Sequence, residues 1–222
     1  MLKLVDHSFG YRNHLVLHKV NLSVTPGESV AIVGESGAGK STLLRQLYDL
    51  SPQTIALCPQ SLGLVPTLSA FHNIYMGALS EHNIGVNILN LIWPQSAAWE
   101  DVSAVADCVG VAELLKKQVS QLSGGQRQRV ALARSLLQGK GEFVTTFIGD
   151  EPVSSVDQQH GAQLIQSLKQ QFSTVVVATH DRQLAVEHFD RVVGIRQGKV
   201  AFNALASELC EQDFSTIFRT NL

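Results

Sequence analysis

The feature that most constrains the fold of this chain is a glycine-rich stretch that lies between a short apolar run and a helical pattern. The run Glu28–Val33 (ESVAIV) favours a strand of a covered parallel sheet, and Lys40–Asp49 favours a helix. Between them, Gly34–Thr42 (GESGAGKST) fits the pattern of a phosphate-binding loop. In such a loop the backbone N–H groups converge on a phosphate at the positive end of the helix. The stretch therefore predicts a strand, a loop and a helix that together bind a nucleotide.

Every position of this loop has a predicted role. The main-chain groups of its first part are expected to surround the phosphates of ATP; these residues are Gly34, Glu35, Ser36, Gly37, Ala38 and Gly39. Lys40 can reach the β- and γ-phosphates, Ser41 offers a hydroxyl ligand to Mg²⁺, and Thr42 can bond a further phosphate oxygen. We therefore expect the chain to bind ATP with Mg²⁺ and to hydrolyse it. The alternative is a glycine-rich turn that matches the pattern by chance, which the flanking strand and helix argue against.

Further strand and helix patterns alternate along the chain. The runs Phe143–Ile148 and Thr174–Ala178 have the composition of buried strands. A helical stretch precedes each of them, Gln126–Leu137 before the first and Gln158–Gln171 before the second. This alternation is typical of a layered α/β fold.

The N-terminal segment has a different pattern, in which apolar and polar residues alternate. Leu2–Phe9 and Leu15–Thr25 each show this period of two, and the turn between them is expected near Arg12–His14. The segment therefore predicts a β-hairpin that precedes the phosphate loop.

The middle of the chain lacks a strand pattern between Ser61 and Ser120. Val102–Val109 and Ala112–Gln118 are predicted to be helical there, and Trp93 and Trp99 are expected to pack inside this region. The chain is therefore predicted to be one domain of 222 residues. Residues 1–60 and 129–222 would form the α/β core with its N-terminal β subdomain, and residues 61–128 an inserted helical subdomain.

Hydrolysis also needs a carboxylate that orders the metal and a group that activates water. Asp150 and Glu151 follow the predicted strand Phe143–Ile148, at the edge where ligands bind in open α/β sheets. Asp150 can hold Mg²⁺ through water, and Glu151 can accept a proton from the attacking water. His180 follows the last buried strand and would face the same crevice. The alternatives are an acidic pair that begins a surface turn and a histidine with a structural role.

Composition limits the partners of the chain. The net charge of −2 gives no general attraction to nucleic acid or to anionic lipid, so no nucleic-acid partner is expected. Three widely spaced cysteines, Cys58, Cys108 and Cys210, fit reduced thiols in a cytosolic protein. No apolar run is long enough to cross a bilayer. Any membrane role is therefore expected to come from a partner chain.

A second motif, Leu122–Arg129 (LSGGQRQR), makes the interpretation more specific. A serine hydroxyl and glycine amides at the start of a helix form an anion site of their own. The motif resembles the signature of ATP-binding cassette (ABC) proteins, and the likeness extends from Leu2 to about Leu209. It implies a phosphate-loop (P-loop) NTPase core of the RecA-like type with a small antiparallel β subdomain and an inserted α-helical subdomain. In this family two cassettes pair head to tail, and each signature caps the ATP held by the other. The residues that this implies for contact with the partner's ATP are Ser123, Gly124, Gly125 and Gln126.

The same resemblance implies roles for five further positions. Tyr11 looks like the aromatic residue that stacks on adenine, with core packing as the alternative. Gln60 looks like the glutamine that senses Mg²⁺, takes part in catalysis and faces the transport partner. Asp157 is similar to the aspartate that communicates across the dimer, and His180 to the residue that senses the γ-phosphate. Glu151 matches the position of the catalytic base.

Some positions depart from the family pattern. The stretch between Lys40 and Gln60 is short, so the antiparallel β subdomain is expected to be reduced. Gly139–Gly141 is expected to be a surface insertion. Val153 and Val156 replace the more usual Thr and Leu. None of these changes removes a predicted catalytic group.

The resemblance implies the ATPase subunit of a transporter. It would work as a dimer beneath integral-membrane permease subunits, on the cytoplasmic face of the inner membrane. The segment that follows Gln60 resembles the part that receives the permease's coupling helix. Its apolar residues are expected either to line a groove for that helix or, for several of them, to pack the subdomain; they are Leu64, Val65, Leu68, Phe71, Ile74 and Tyr75. The stretch Asp150–Asp157 (DEPVSSVD) most resembles the version in bacterial phosphonate importers.

Two other functions remain as alternatives at this point. One is a soluble cassette ATPase of DNA repair or translation, although such relatives usually carry two cassettes or long coiled-coil insertions. The other is a small-molecule kinase with a phosphate loop, which would leave the LSGGQ motif of Leu122–Gln126 without a role.

Overall fold

The computed structural model of the chain describes residues 1–12 and 14–218. In chain order its strands and helices are β1 (Leu2–Tyr11), β2 (His14–Val24), β3 (Ser29–Val33), α1 (Lys40–Asp49), β4 (Ile55–Cys58), α2 (Ala70–Tyr75), α3 (Ile84–Ile92), α4 (Ser96–Cys108), α5 (Gly124–Gln138), β5 (Thr146–Asp150), α6 (Gln158–Gln171), β6 (Thr174–Thr179), α7 (Arg182–His188), β7 (Arg191–Arg196), β8 (Lys199–Leu205) and α8 (Glu211–Ser215). Short 3₁₀ turns join several of these elements.

The strands form a six-stranded sheet and a separate hairpin. The order in the large sheet is β4-β5-β6-β3-β7-β8, parallel throughout except for β8, which runs antiparallel to β7. Strands β1 and β2 pair antiparallel, as the alternating pattern predicts. The predicted turn Arg12–His14 includes Asn13, which lies outside the described residues.

Both faces of the large sheet are covered. Along β3, Val30 and Ile32 belong to one buried cluster, which includes α1 and the hairpin, whereas Ala31 and Val33 belong to a second cluster with α5 and α6. Neighbouring residues of a strand point to opposite faces, so this division places one apolar layer on each side. The layered α/β architecture predicted from the sequence is therefore confirmed.

The predicted strand Phe143–Ile148 is displaced in the structure. Strand β5 begins three residues later, at Thr146, and continues through Asp150. The reason is that Phe143 lies in the turn after α5, where its side chain is 70% exposed. The apolar and β-branched residues of the run Phe143–Ile148 had favoured a strand from its first residue. Gly149 and Asp150 extend the strand because they pair with β6. Asp150 is therefore part of the sheet rather than of the loop that follows it.

Strands β4, β7 and β8 were not predicted from the sequence. The short segment between α1 and Gln60 contributes β4 to the edge of the large sheet. The separate antiparallel sheet consists of β1 and β2 alone among the described residues, in agreement with the expected reduction of this subdomain.

The middle region is helical, with two local differences from the prediction. The segment predicted as a helix at Ala112–Gln118 forms only a 3₁₀ turn over Ala112–Leu114. The helix was predicted because Val111, Leu115 and Val119 are apolar at helical spacing, and all three are buried. Gly110, with a φ of +66°, ends α4 just before them, and no regular helix restarts. The boundaries of the helical subdomain, residues 61–128, stay a prediction.

The expected apolar groove is only partly present. Leu64, Val65 and Leu68 remain partly or largely exposed. Phe71, Ile74 and Tyr75 are buried, so these three pack the helical region, which was the alternative to lining the groove. The reason is that α2 packs against α4 and α5, with Phe71 against Trp99 at 4.3 Å between ring centroids. Trp99 thus packs inside this region as predicted.

Helix α3 has an inverted distribution of polar and apolar residues. Asn90 alone is buried in this helix, whose nine residues are all described; it donates through Nδ2 to the Tyr75 hydroxyl at 2.8 Å. That hydroxyl in turn donates to Asn87 at 3.1 Å. By contrast Ile84 is 79% exposed and Trp93, just beyond the helix, is 73% exposed. The expectation that Trp93 packs inside was therefore wrong, because polar contacts with α2 turn the apolar face outward.

One ion pair ties the hairpin to the large sheet. Arg191, at the start of β7, binds both carboxylate oxygens of Glu28 and also donates to the Ser23 carbonyl at 2.7 Å. Burial raises the pKa of Glu28, but the hydrogen bonds and charge of Arg191 outweigh it and hold this pKa below its usual value. The ionised carboxylate therefore stabilises the folded state at neutral pH.

Replacing Arg191 with Met should lower the free energy of unfolding by about 1–3 kcal/mol at pH 7, since it leaves a half-buried carboxylate unpaired. Because the pKa of Glu28 is depressed in the folded state, its contribution is present above the unfolded pKa and is lost as the pH falls through the folded one. The difference between the two proteins should therefore shrink below about pH 4. Urea unfolding of both proteins at several pH values measures this difference in the free energy of unfolding. Arg45→Met, at the exposed pair with Asp49, should change stability by less than about 0.5 kcal/mol. Equal stability of wild type and Arg191→Met at pH 7 would contradict this account.

Candidate nucleotide site

The phosphate loop opens onto a cavity at the carboxyl edge of the parallel strands. Its volume is about 410 Å³. The residues that line it come from the phosphate loop and α1, from the end of β5, from the turns after β4, β5 and β6, and from β2; they are Val16, Ser36, Gly37, Gly39, Lys40, Ser41, Thr42, Gln60, Asp150, Glu151 and His180. All but Val16 were predicted from the sequence. Parallel strands end at one edge of the sheet, which explains why residues so distant in sequence meet there.

Glycine is required at two points of the loop for different reasons. Gly39 has a φ of +105°, in the region that favours glycine, and a Cβ there would lie 3.1 Å from the side chain of Leu17. At Gly34 a Cβ would lie within 2.3 Å of the Ile195 carbonyl oxygen on β7. Both positions therefore allow the backbone to pass close to its neighbours and to turn into α1.

Lys40 is held over the loop. Its ammonium group donates to the carbonyl oxygens of Gly34 at 2.7 Å and of Glu35 at 3.0 Å. Burial lowers the pKa of Lys40, while the charges of Glu151 and Asp150 act in the opposite direction. A partly buried cation beside the main-chain amides of the loop is suited to contact with phosphate oxygens.

Asp150 and Ser41 form the part of the cavity that suits a divalent cation. Burial raises the pKa of Asp150, and a hydrogen bond from the Ser41 hydroxyl and the charge of Lys40 partly offset this. In the described part of the chain, no cluster of three or more His, Cys, Asp or Glu residues forms a metal site. Mg²⁺ at nucleotide sites needs only one or two protein oxygens, since phosphates and water supply the rest. These two oxygen donors therefore fit Mg²⁺ bound together with a nucleotide.

Glu151 lies at the end of β5 in an unusual backbone conformation. Its φ is +53°, which for a residue with a side chain costs about 1–2 kcal/mol. Its backbone N–H donates to the Ala178 carbonyl on β6 at 2.9 Å. The carboxylate lies 3.3 Å from Nδ1 of His180 and borders the cavity near Lys40. A carboxylate in this position can accept a proton from a water molecule within the cavity.

The loop that carries Gln60 is supported by helix α5. The Arg134 guanidinium donates to the carbonyl oxygens of Leu62 at 2.6 Å and of Gly63 at 2.8 Å. Both of these residues have positive φ angles, so the loop makes a tight turn that Arg134 holds. The sequence analysis did not assign a role to Arg134. The one signal for it is its position on the helix that begins at the signature.

Tyr11, predicted to stack on adenine, does not line the cavity. It lies at the tip of the hairpin, 56% exposed, with its ring in edge contact with Phe9 at 5.3 Å between centroids. This exposure argues against the alternative of core packing, and the role in adenine stacking stays a prediction. Val16 lines the cavity instead, because the next residue, Leu17, lies against Gly39. No sequence motif includes Val16, so only its place on β2 connects it with the cavity.

The signature begins helix α5 with a capping box. Ser123 accepts a hydrogen bond from the Gln126 backbone N–H at 3.3 Å, and the Gln126 side chain accepts one from the Ser123 N–H at 2.9 Å. Gly124 lies open to solvent, and Gly125 lies against Ser155. None of the signature residues is among the described residues that line the phosphate-loop cavity.

Asp157 begins helix α6 and lies in the segment next to the signature helix. Its carboxylate accepts a hydrogen bond from the His160 backbone N–H at 3.1 Å, and its other oxygen lies 2.6 Å from Nδ1 of His160. It lines a second cavity, of about 230 Å³, which Glu151 and His180 also border. Asp157 is thus a near neighbour of the phosphate-loop cavity without lining it.

Comparison with known proteins gives the family. The model of the ABC transporter family matches residues 17–154. The chain belongs to this family. Among its relatives, the phosphonates import ATP-binding protein PhnC of Anaeromyxobacter dehalogenans is 34% identical over 91% of this chain, which spans only 45% of that longer protein. PhnC 1 of Nostoc sp. is 31% identical, with 99% of this chain and 92% of that protein covered.

Solved structures agree on the fold. The dimeric ABC transporter cassette MJ0796 matches with a TM-score of 0.79 and 24% identity, over 93% of this chain and 99% of the other. The cbiO1 subunit of Clostridium perfringens, part of the transporter complex cbiONQ, matches with a TM-score of 0.67 and 22% identity, over 93% of this chain and 88% of the other. The fold predicted from the sequence, a P-loop NTPase core with a small antiparallel sheet, is thereby confirmed.

Family membership gives the general activity. This ABC protein is an ATP-binding and ATP-hydrolysing subunit that powers a membrane transporter. None of the described helices has both the length and the apolar character needed to cross a bilayer. The relatives named above are transporter subunits, and nothing in these comparisons favours an ATPase of DNA repair or translation.

Proposed function

We propose that this ABC chain works as a head-to-tail dimer, with two ATP molecules held between the phosphate loop of each copy and the signature of the other. The observation that carries this proposal is the separation of the two motifs. The cavity at Lys40 is open, and Ser123 and Gly124, at the exposed start of α5, do not line it. The start of a helix, where the helix dipole is positive, can bind an anion. A second copy supplies it in the form of its bound ATP.

The residues of the cavity divide the chemistry of hydrolysis among them. Lys40 and the loop amides bind the β- and γ-phosphates. Ser41 and Asp150, with Gln60, hold Mg²⁺, which when bound neutralises charge on the phosphate oxygens. Glu151 accepts the proton of the attacking water, and His180 contacts the γ-phosphate. Tyr11, at the tip of the hairpin, stacks on adenine. Asp157 contacts the other copy and couples the two sites.

The proposed setting is a bacterial importer at the cytoplasmic face of the inner membrane. The chain would there bind integral-membrane permease subunits, and each cycle of dimer closure and opening would move them. Phosphonates are the proposed cargo class, because the relatives named above import phosphonates. The stretch Asp150–Asp157 supports the same class through its resemblance to that type.

The outward face of α3 is the surface that we assign to the membrane subunit. Its exposed apolar residues are Ile84, Ile88, Leu89, Leu91, Ile92 and Trp93. Residues 83–99 contain no charged side chain, and acidic residues flank them at Glu81 and Glu100. Helices that lie on anionic lipid normally carry Lys or Arg beside their apolar face. The charge pattern therefore favours an apolar protein surface over lipid as the occupant.

Replacing Glu151 with Gln should abolish ATP turnover, since the amide cannot accept the proton, and should stabilise a dimer that retains ATP. Turnover is followed by phosphate release, and the dimer by analytical ultracentrifugation with ATP and with ADP. Glu187→Gln, an exposed carboxylate on α7, serves as the control and should behave as wild type. Wild-type turnover in Glu151→Gln would disprove the assignment of the base. A monomer in the presence of ATP would disprove the dimer.

A photo-crosslinking amino acid at Ile88 should link the chain to a multi-span membrane protein in its own cells, since α3 is proposed to lie against that protein. Mass spectrometry of the product identifies the attached peptide. The same amino acid at Phe143, equally apolar and 70% exposed but in the turn after α5, should give no such product. Products that contain only lipid, or only a second copy of this chain, would contradict the proposed occupant.

A further inference from the structure

A glutamine of the signature helix contacts the backbone of the proposed catalytic base. The amide Nε2 of Gln128 on α5 donates a hydrogen bond to the carbonyl oxygen of Glu151. The same nitrogen donates to Oγ of Ser154 at 2.9 Å, and that hydroxyl donates to the Glu151 carbonyl at 3.1 Å. Both hydrogens of the amide are therefore used at one turn of the chain, the turn that carries Glu151.

This turn is the one whose conformation needs external support. Glu151 has a φ of +53°, and a side chain in this region persists only where its surroundings fix it. Its N–H is fixed from one side by Ala178 on β6. Its carbonyl accepts hydrogen bonds from the backbone N–H and Oγ of Ser154, within the same turn, and from Gln128, which lies outside the turn. Without Gln128 the carbonyl keeps only its contacts with Ser154, which belongs to the same turn. The turn can then shift as a unit and carry the carboxylate away from the cavity.

Gln128 also lies close to the start of the helix that meets the other copy's ATP. It is two residues beyond Gln126, within the first turns of α5, and a helix transmits displacement along its axis because its hydrogen bonds are stiff. Six residues further along the same helix, Arg134 holds the Gln60 loop. Helix α5 thus contacts two loops that border the chain's own cavity, while in the proposed dimer its N-terminus meets the ATP of the other copy.

We propose that Gln128 is a positioning residue, which holds Glu151 in its active conformation and couples it to the signature of the same chain. Binding of the partner's ATP at Ser123 fixes the position of the start of α5. Gln128, on the same helix, then holds the Glu151 carbonyl in place through its hydrogen bond. This inference rests on the proposed dimer and on the proposed role of Glu151 as the base. It predicts that the two sites of the dimer hydrolyse ATP cooperatively and that this cooperativity depends on Gln128.

The test compares variants of the purified full-length chain. Gln128→Glu keeps the size of the side chain but replaces the donor with an acceptor that faces the Glu151 carbonyl. It should lower kcat roughly 10- to 100-fold with the KM for ATP within about twofold of wild type, because the base is misplaced while the phosphate contacts remain. The Hill coefficient for ATP should fall towards 1. Gln128→Lys retains a donor and should recover most of the lost kcat. Gln166→Glu, an exposed glutamine on α6, is the matched control and should equal wild type.

A double-mutant cycle separates positioning from a general structural role. If Gln128 acts through Glu151, adding Gln128→Glu to Glu151→Gln should change the small residual rate by less than about twofold. An equal fold-loss in both backgrounds would overturn the inference. Wild-type kcat in Gln128→Glu, with Glu151→Gln inactive, would also overturn it while leaving the proposed base intact. Full activity of Glu151→Gln would overturn both.

Discussion

The site depends on the pairing of β5 with β6. Asp150 pairs with Ala178, and the next residue, Glu151, donates its N–H to the same Ala178 carbonyl. Two residues beyond Ala178, His180 leaves β6 at the same edge. This register brings Asp150, Glu151 and His180 to one end of the sheet, beside the phosphate loop that ends β3. A shift of this pairing by one residue would turn Asp150 to the opposite face and remove its oxygen from Ser41.

Helix α5 is the second element on which the cavity depends. It holds the Glu151 turn through Gln128 and the Gln60 loop through Arg134, and its first residues are the signature. Because of these contacts, a displacement of the N-terminus of α5 would also move the Glu151 turn and the Gln60 loop. In the proposed dimer the phosphate loop is half of a site, and the other half is the signature at the start of another copy's α5.

The sequence predicted the parts of the site that depend on local pattern. The limits of α1 and α6 agree with the prediction. Helix α6 begins where Asp157 caps it, and α1 begins directly after Gly39 of the phosphate loop, which precedes the helix as expected. Composition misplaced β5, since Phe143 is apolar but exposed. The inverted face of α3 could not be foreseen, because it depends on hydrogen bonds between Asn90 and Tyr75 across the fold. The contacts of Gln128 and Arg134 join residues 23 to 72 positions apart, which no local pattern reports.

The central claim, that each ATP site is built from two chains, is tested most directly by mixing two inactive variants. Lys40→Ala removes the phosphate contact, and Ser123→Arg blocks the signature, so neither chain alone should hydrolyse ATP. In a mixed dimer the intact loop of one chain meets the intact signature of the other, which restores one site. The account predicts that an equal mixture regains at most about a quarter of wild-type activity, since half of the dimers are mixed and each has one working site. Coupling through Gln128 lowers this figure, because the chain that binds ATP has a blocked signature opposite an impaired loop. No gain on mixing, or full activity of Ser123→Arg alone, would contradict it.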